Sequence, residues 1–230
     1  MIKAILMDFN GVIINDEPIQ HAAYSEILRQ DGVEISDEDY YSRLGMDDRT
    51  FVTSILEEAG KDASYDRVSE VTRGKTENWR AIVEETMPLF PGIEEFVKKM
   101  SNELTLGIVS MARREEIDFV LEKAGIAPYF SVVISADDVT DCKPDPQCYR
   151  EGFRQIDLFR TLNGRSAMIH SDCLAIEDSP PGVQAARAAG LQVLGVSNTV
   201  SADELRKAGA ASVTARLSEW MPESVRRVFA

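Results

Sequence analysis

The stretch Met1-Ile2-Lys3-Ala4-Ile5-Leu6-Met7-Asp8-Phe9-Asn10-Gly11-Val12-Ile13-Ile14-Asn15-Asp16-Glu17 governs how the rest of the chain is read. Its apolar run, Ala4 to Met7, ends on the carboxylate of Asp8, and Gly11 then breaks the pattern. A short continuous apolar run closed by a turn residue reads as a strand buried on both faces. Open α/β sheets gather their chemistry at the C-terminal ends of such strands. Asp8 therefore stands where a site is expected.

Outward from this strand the pattern changes character. From Asp16 to about Met87 the sequence is polar and helix-forming, with apolar residues at three and four spacings in Ile19 to Gln30, Tyr40 to Arg43, Arg49 to Ala59 and Tyr65 to Glu85. Residues 16–87 are read as a helical cap inserted after the first strand. Pro88 and Pro91-Gly92 mark the return to the main domain, made of residues 1–15 and 88–230. There helices alternate with strands: helix Ile93 to Met100, strand Thr105 to Ser110, helix Arg114 to Ala124, strand Val132 to Ser135 and helix Gln147 to Gln155. A strand over Ala167 to Ile169 or Cys173 to Ile176 follows, then helix Gly182 to Ala189 and strand Gln192 to Val196. This alternation predicts an α/β fold, a Rossmann-like parallel sheet core with right-handed crossovers.

The 230 residues suffice for one such domain with a sizeable core and an insertion. A hydrophobic content of 44% and a charged content of 28% are those of a globular protein. The net charge of −14, with no basic stripe, argues against nucleic acid as a partner. The same charge repels a phosphorylated metabolite at long range, so a phosphate site must be made attractive locally by a metal ion or a placed cation. Lys143 is the leading cation. No stretch approaches the roughly 18 apolar residues of a membrane span. Cys142, Cys148 and Cys173 form no CxxC pair, and the odd count suits a reducing compartment. A cytoplasmic protein is expected, without a leader segment and as a monomer or weak dimer.

Three further pieces follow in order: Gly107-Ile108-Val109-Ser110, then Cys142-Lys143-Pro144-Asp145-Pro146, then Ile176-Glu177-Asp178-Ser179-Pro180-Pro181-Gly182-Val183-Gln184-Ala185-Ala186. Together with Asp8-Phe9-Asn10-Gly11-Val12 they resemble the four ordered motifs of the haloacid dehalogenase superfamily. Within it the chain is similar to the β-phosphoglucomutase-like and phosphoglycolate-phosphatase-like branch with a C1-type helical cap. The resemblance implies a phosphatase acting on a small phosphorylated metabolite through an aspartyl phosphate at Asp8. It also implies Mg²⁺, held by the Asp8 carboxylate, the Asn10 main-chain carbonyl and Asp178, with Glu177 binding directly or through water. Lys143 would hold the transferring phosphoryl oxygens and Ser110 would hydrogen-bond them. Gly11 and Arg49 complete the implied substrate-binding set, Arg49 at the position where β-phosphoglucomutase contacts a second phosphate.

Each of these residues also has an ordinary structural reading. Asp8 suits a turn cap, Ser110 an N-cap for the helix near Arg113, and Glu177-Asp178 an acidic start for the helix near Gly182. Arg49 suits an exposed helix start, and His21 falls one position past the mutase's hinge histidine, which aligns with Gln20. His170 lies outside every motif.

Asn10 departs from the pattern, because the superfamily's phosphatases and mutases carry there a second Asp that serves as general acid and base. An amide neither gives a proton to the leaving oxygen nor takes one from the attacking water, and such catalysis is worth about 100 to 10,000-fold. Slow turnover of alkyl phosphates is expected, with Asp16 and Glu17 the nearest carboxylates able to stand in. The alternatives are a β-phosphoglucomutase-like phosphoryl transferase and a catalytically weak phosphate-binding or regulatory protein on the same scaffold. A metal-free dehalogenase fits less well, since it has no use for Glu177-Asp178.

Overall fold

The computed structural model describes residues 1–229. Six parallel strands, β1 (Ala4–Met7), β2 (Thr105–Val109), β3 (Phe130–Ile134), β4 (Cys173–Glu177), β5 (Gln192–Val196) and β6 (Ser212–Thr214), form one sheet in the order β3-β2-β1-β4-β5-β6. The first three strands step outward on one side of β1. The chain then crosses back to lay β4 on its other side, so the order reverses between β1 and β4. That reversal leaves a crevice beyond the carboxyl ends of the two strands.

Apolar runs are needed because both faces of the sheet are covered. Ile5 and Met7 of β1 pack into one apolar cluster with Phe96, Ile117 and Val120, whereas Ala4 and Leu6 pack into another with Tyr149, Ile156 and Val183. The first face carries α5 (Ile93–Ser101) and α6 (Arg114–Lys123), the second α7 (Gln147–Leu162) and α8 (Pro180–Ala188). Cys173–Glu177 is the strand of the two candidate segments, and Ala167 to Ile169 lies outside any strand. The C-terminal elements α9 (Ala202–Ala208), β6 and α10 (Pro222–Val228) extend the alternation past the last element foreseen. Their polar, weakly periodic sequence carries little signal.

Between β1 and α5 stand four helices outside the sheet, α1 (Glu17–Leu28), α2 (Asp37–Tyr41), α3 (Asp48–Glu58) and α4 (Tyr65–Thr86). Tyr24, Leu28, Tyr40, Phe51, Val52, Leu56 and Val71 give them an apolar cluster of their own. The chain enters and leaves this layer through one paired segment: the Asn15 amide donates to the Pro88 carbonyl at 2.8 Å and the Phe90 amide to that of Ile13 at 3.1 Å. The far end of α4 does not stay with the cap. Trp79 and Val83 are buried in the cluster of the first sheet face, so one helix belongs to both layers. Among the described residues no helix is long and apolar enough to cross a membrane.

Candidate active site

The ends of β1 and β4 bring Asp8, Glu177 and Asp178 together, with one oxygen of each within 4.8 Å of the others. All three are buried. Unpaired, such a group is costly in a low-dielectric crevice, and Lys143 answers part of the cost. Its Nζ lies 2.9 Å from Asp8 Oδ2 and 2.7 Å from Glu177 Oε1, and it also donates to the Val109 carbonyl at 3.3 Å. Burial works to lower the Lys143 pKa, but Asp8 and Glu177 outweigh it and hold the ammonium above its usual value. Lys143 is thus a fixed cation, only 4% exposed.

Glu177 turns Oε1 to Lys143 and to the Tyr149 hydroxyl, which donates at 2.6 Å, while the Ser179 hydroxyl donates to Oε2 at 3.4 Å. Burial first, then repulsion from Asp8, push its pKa up to about 7 against the pull of Lys143 and Tyr149. Asp178 accepts from the Thr199 hydroxyl. Burial and the charges of Asp8 and Glu177 drive its pKa well above the ordinary range. A bound cation would relieve all three carboxylates at once. Hard oxygen donors of this kind suit Mg²⁺, and among the described residues no hydrogen bond reaches the Asn10 main-chain carbonyl. The residues present fit the ion.

The helix-start reading of the acidic pair gives way to Ser179, whose hydroxyl caps α8 by accepting from the Gly182 amide at 3.3 Å. The cap position of α6 falls to Arg113, whose side chain makes no cap bond. Ser110 is left facing the site, where it donates to Asn10 Oδ1 at 3.4 Å and accepts from the Ala112 amide at 3.1 Å. Asp8 does take the local turn contact, since Oδ1 accepts from the Phe9 amide at 2.7 Å. Its Oδ2 points to Lys143.

Asn10 has a specific setting. Its Nδ2 sits 3.0 Å from each carboxylate oxygen of Asp16, which also accepts from Gln20 Nε2 at 3.1 Å and from Trp79 Nε1 at 2.8 Å. Asp16 is fully buried, and burial raises its pKa against these hydrogen bonds. The amide nitrogen is thereby turned to Asp16 and its oxygen to Ser110. Of the two carboxylates able to stand in at position 10, Glu17 lines the cavity over Asp8 and Asp16 does not. Burial and the neighbouring Asp16 push Glu17 up to about 7.

Two expected substrate contacts take other roles. Gly11 lies outside the cavity lining. A Cβ there would overlap the Asp178 carboxylate, its φ is +70°, and its carbonyl accepts from Asn198 Nδ2 at 2.8 Å. Gly11 is required for the close approach of backbone and acid. Arg49 is exposed, with its guanidinium 5.7 Å from the Tyr65 ring centroid. The first turn of α3 turns it away from the cavity, and Arg43 is the arginine that lines it. His21 stacks on Tyr40 with 5.0 Å between ring centroids, and His170 on Phe153 at 4.2 Å; neither lines the cavity.

Other contributors carry no signature in sequence. Tyr149, Thr199 and Asn198 come from α7 and from the loop after β5, and none stands in a motif. The cavity also extends under the cap to Gln20, Tyr24, Tyr40, Asp48 and Glu116. Lys75, 1% exposed, pairs with Asp48 Oδ1 and Glu116 Oε1 at 3.0 Å each, so α4, α3 and α6 meet at one buried ion cluster.

A family model described as haloacid dehalogenase-like hydrolase matches residues 5–196, from the first strand through the fifth. The chain belongs to that family. This haloacid dehalogenase-like chain is 30% identical over 215 residues to the Arabidopsis thaliana protein SUPPRESSOR OF QUENCHING 1, chloroplastic, covering 90% of its own length and 19% of that relative's. To a phosphorylated carbohydrates phosphatase of Thermotoga maritima it is 25% identical, over 92% of this chain and 93% of the relative. The crystal structure of β-phosphoglucomutase from Clostridium difficile superposes with a TM-score of 0.84 at 21% identity, covering 100% of this chain and 97% of that one. The chain stands among haloacid dehalogenase-like phosphohydrolases.

Proposed function

We propose that this haloacid dehalogenase-like chain is a Mg²⁺-dependent phosphatase of a small phosphate monoester, working through an aspartyl phosphate at Asp8. The observation that supports it most is the Lys143 ammonium locked between Asp8 and Glu177 beside Asp178, where all three line or adjoin one cavity. Asp8, Asp178 and the Asn10 carbonyl would hold the ion, with Glu177 anchoring Lys143 behind them. When bound, the ion would supply charge neutralisation that lets two anions approach.

The remaining steps rest on the chain's own groups. Asp8 attacks phosphorus, forming a carboxylate oxygen to phosphorus bond while the phosphorus to leaving-oxygen bond breaks and its electron pair stays with the leaving group. Lys143 and Ser110 are placed to hold the phosphoryl oxygens as this charge shifts. The cap excludes bulk water until the leaving group departs. Water then attacks phosphorus and gives up a proton to solvent, while the Asp8 oxygen to phosphorus bond breaks, returning its electron pair to the carboxylate and releasing phosphate.

Neither step receives a proton from Asn10. Its amide nitrogen is turned to Asp16, which favours substrates whose leaving group needs little protonation. The transferase reading loses support, since Arg49 is outside the cavity and Gln20 stands where the mutase has its histidine. Replacing Asp8 by Ala tests the proposal: Mg²⁺-dependent hydrolysis of p-nitrophenyl phosphate is expected to vanish, and activity surviving Asp8→Ala shows that the nucleophile lies elsewhere.

A further inference from the structure

Besides Asp8 and Asp178, the cavity lining carries three carboxylates, two from the cap and one from α6 of the core. These are Glu17, Asp48 and Glu116, and the donors nearest to them are spent within the wall. The Tyr40 hydroxyl donates to Glu17 at 2.6 Å, the Tyr24 hydroxyl to Asp48, and Lys75 is shared between Asp48 and Glu116. Three carboxylates thus face one lysine that lies behind the wall.

Two buried oxygens remain without any partner, Gln20 Oε1 and Glu116 Oε2, and both residues line the cavity. Gln20 gives its amide nitrogen to Asp16 at 3.1 Å, which leaves Oε1 over. A buried polar atom left unsatisfied costs on the order of 1–3 kcal/mol, so a donor brought in beside Gln20 or Glu116 would relieve that cost. The one arginine in the lining has most of its donors committed: Arg43 directs Nε to Ser54 at 3.2 Å, Nη1 to the Asp39 carbonyl at 2.7 Å and to the Ser42 hydroxyl at 3.4 Å, and Nη2 to Glu58 at 2.6 Å. A second phosphate would meet carboxylates here, whereas an ammonium would bring three donors and a compensating charge.

We propose that the leaving group of the substrate carries an amine, as in an amino-sugar or amino-alcohol monophosphate, and no second anionic group. This rests on the phosphatase reading for the placement of the phosphate at Asp8. The burial that lifts Glu17 to about 7 fits a wall awaiting a positive charge.

Isosteric pairs test it: glucosamine 6-phosphate against glucose 6-phosphate, and O-phosphoethanolamine against 2-hydroxyethyl phosphate, with fructose 1,6-bisphosphate as the doubly anionic probe. At pH 8 with Mg²⁺, kcat/KM is expected to favour the amine by tenfold or more in at least one pair, with the bisphosphate poorest. Calorimetric binding to the Asp8→Ala chain is expected to show the same order. In Glu17→Gln the amine preference should shrink several-fold in binding. Equal treatment of both pairs, or a preference for the bisphosphate, overturns the inference while p-nitrophenyl phosphate hydrolysis keeps the phosphatase reading intact. If nothing is hydrolysed, that reading fails instead, and the calorimetric order still decides between amine and hydroxyl.

Discussion

Lys143 and Lys75 sit in nearly the same chemical setting, yet only the first lines the cavity and is proposed to take part in the chemistry. Each is buried between two carboxylates at about 3 Å, with a tyrosine hydroxyl donating to one of the pair: Tyr149 to Glu177 in the core, Tyr24 to Asp48 under the cap. The Lys143 cluster opens on the cavity, and one of its carboxylates is the proposed nucleophile. Lys75 lies behind the wall and joins α3 and α4 of the cap to α6 of the core. A buried ion pair is weak evidence for stability in itself, but removing one partner strands a charge. What separates a chemical lysine from a structural one here is access to a cavity.

The largest expected effect follows from that contrast. Lys143→Met should lower kcat on p-nitrophenyl phosphate by about 100 to 1,000-fold, the scale seen when a donor to a developing charge is removed. Lys75→Met should act on folding instead, costing about 3–5 kcal/mol in urea unfolding, while kcat at low temperature stays within about tenfold of the parent. Near-normal turnover in Lys143→Met, or unchanged stability in Lys75→Met, would break the comparison.

A second effect sharpens it at the core end. Asn10→Asp places a carboxyl group against the Asp16 carboxylate, where Nδ2 now sits 3.0 Å from both oxygens. Two acids at that range share a proton readily, which is what a proton carrier needs. Alkyl phosphate hydrolysis should rise about 100-fold and aryl phosphate hydrolysis by less than about tenfold. Equal gains would show that residue 10 is not the missing proton carrier.

The smallest effect lies at the cap end. Burial raises Glu17 from 4.5 to about 7, so the folded chain holds a proton that the unfolded chain releases at lower pH. Its contribution is fully present below about pH 4.5 and is lost as pH rises toward 7. Urea unfolding at pH 5 and pH 8 should show the parent losing about 2–3 kcal/mol more than Glu17→Gln across this window. Parallel losses in the two proteins would remove Glu17 from the set of strained cap carboxylates.

How much of this was legible in the sequence depends on whether a residue's neighbours in the chain are also its neighbours in space. Asp8, Ser110, Lys143 and Asp178 each follow a strand or lead into a helix, and parallel strands deliver their ends to one edge, so local pattern was enough to place them along one cavity. Arg49 lies outside the cavity because a helical residue's direction depends on how its helix is rolled against the core, and α3 brings it to Tyr65. Gly11 also lies outside it, and its need for a glycine comes from Asp178, which a Cβ there would overlap, a contact across 167 positions that no local pattern encodes.

The sequence by itself determined the α/β alternation, the helical insertion after β1, the order of the four motifs and the amide at position 10, all of which are properties of short segments governed by periodicity and residue type. Only the tertiary structure decided that Asn10 faces Asp16, that Glu177 is held by Tyr149, that Lys75 links cap to core and that the cavity wall is acidic with two oxygens unpartnered. These depend on residues tens to more than a hundred positions apart meeting in a desolvated space. There the cost of an unpaired charge or hydrogen bond is set by the whole packing, not by the residues flanking it.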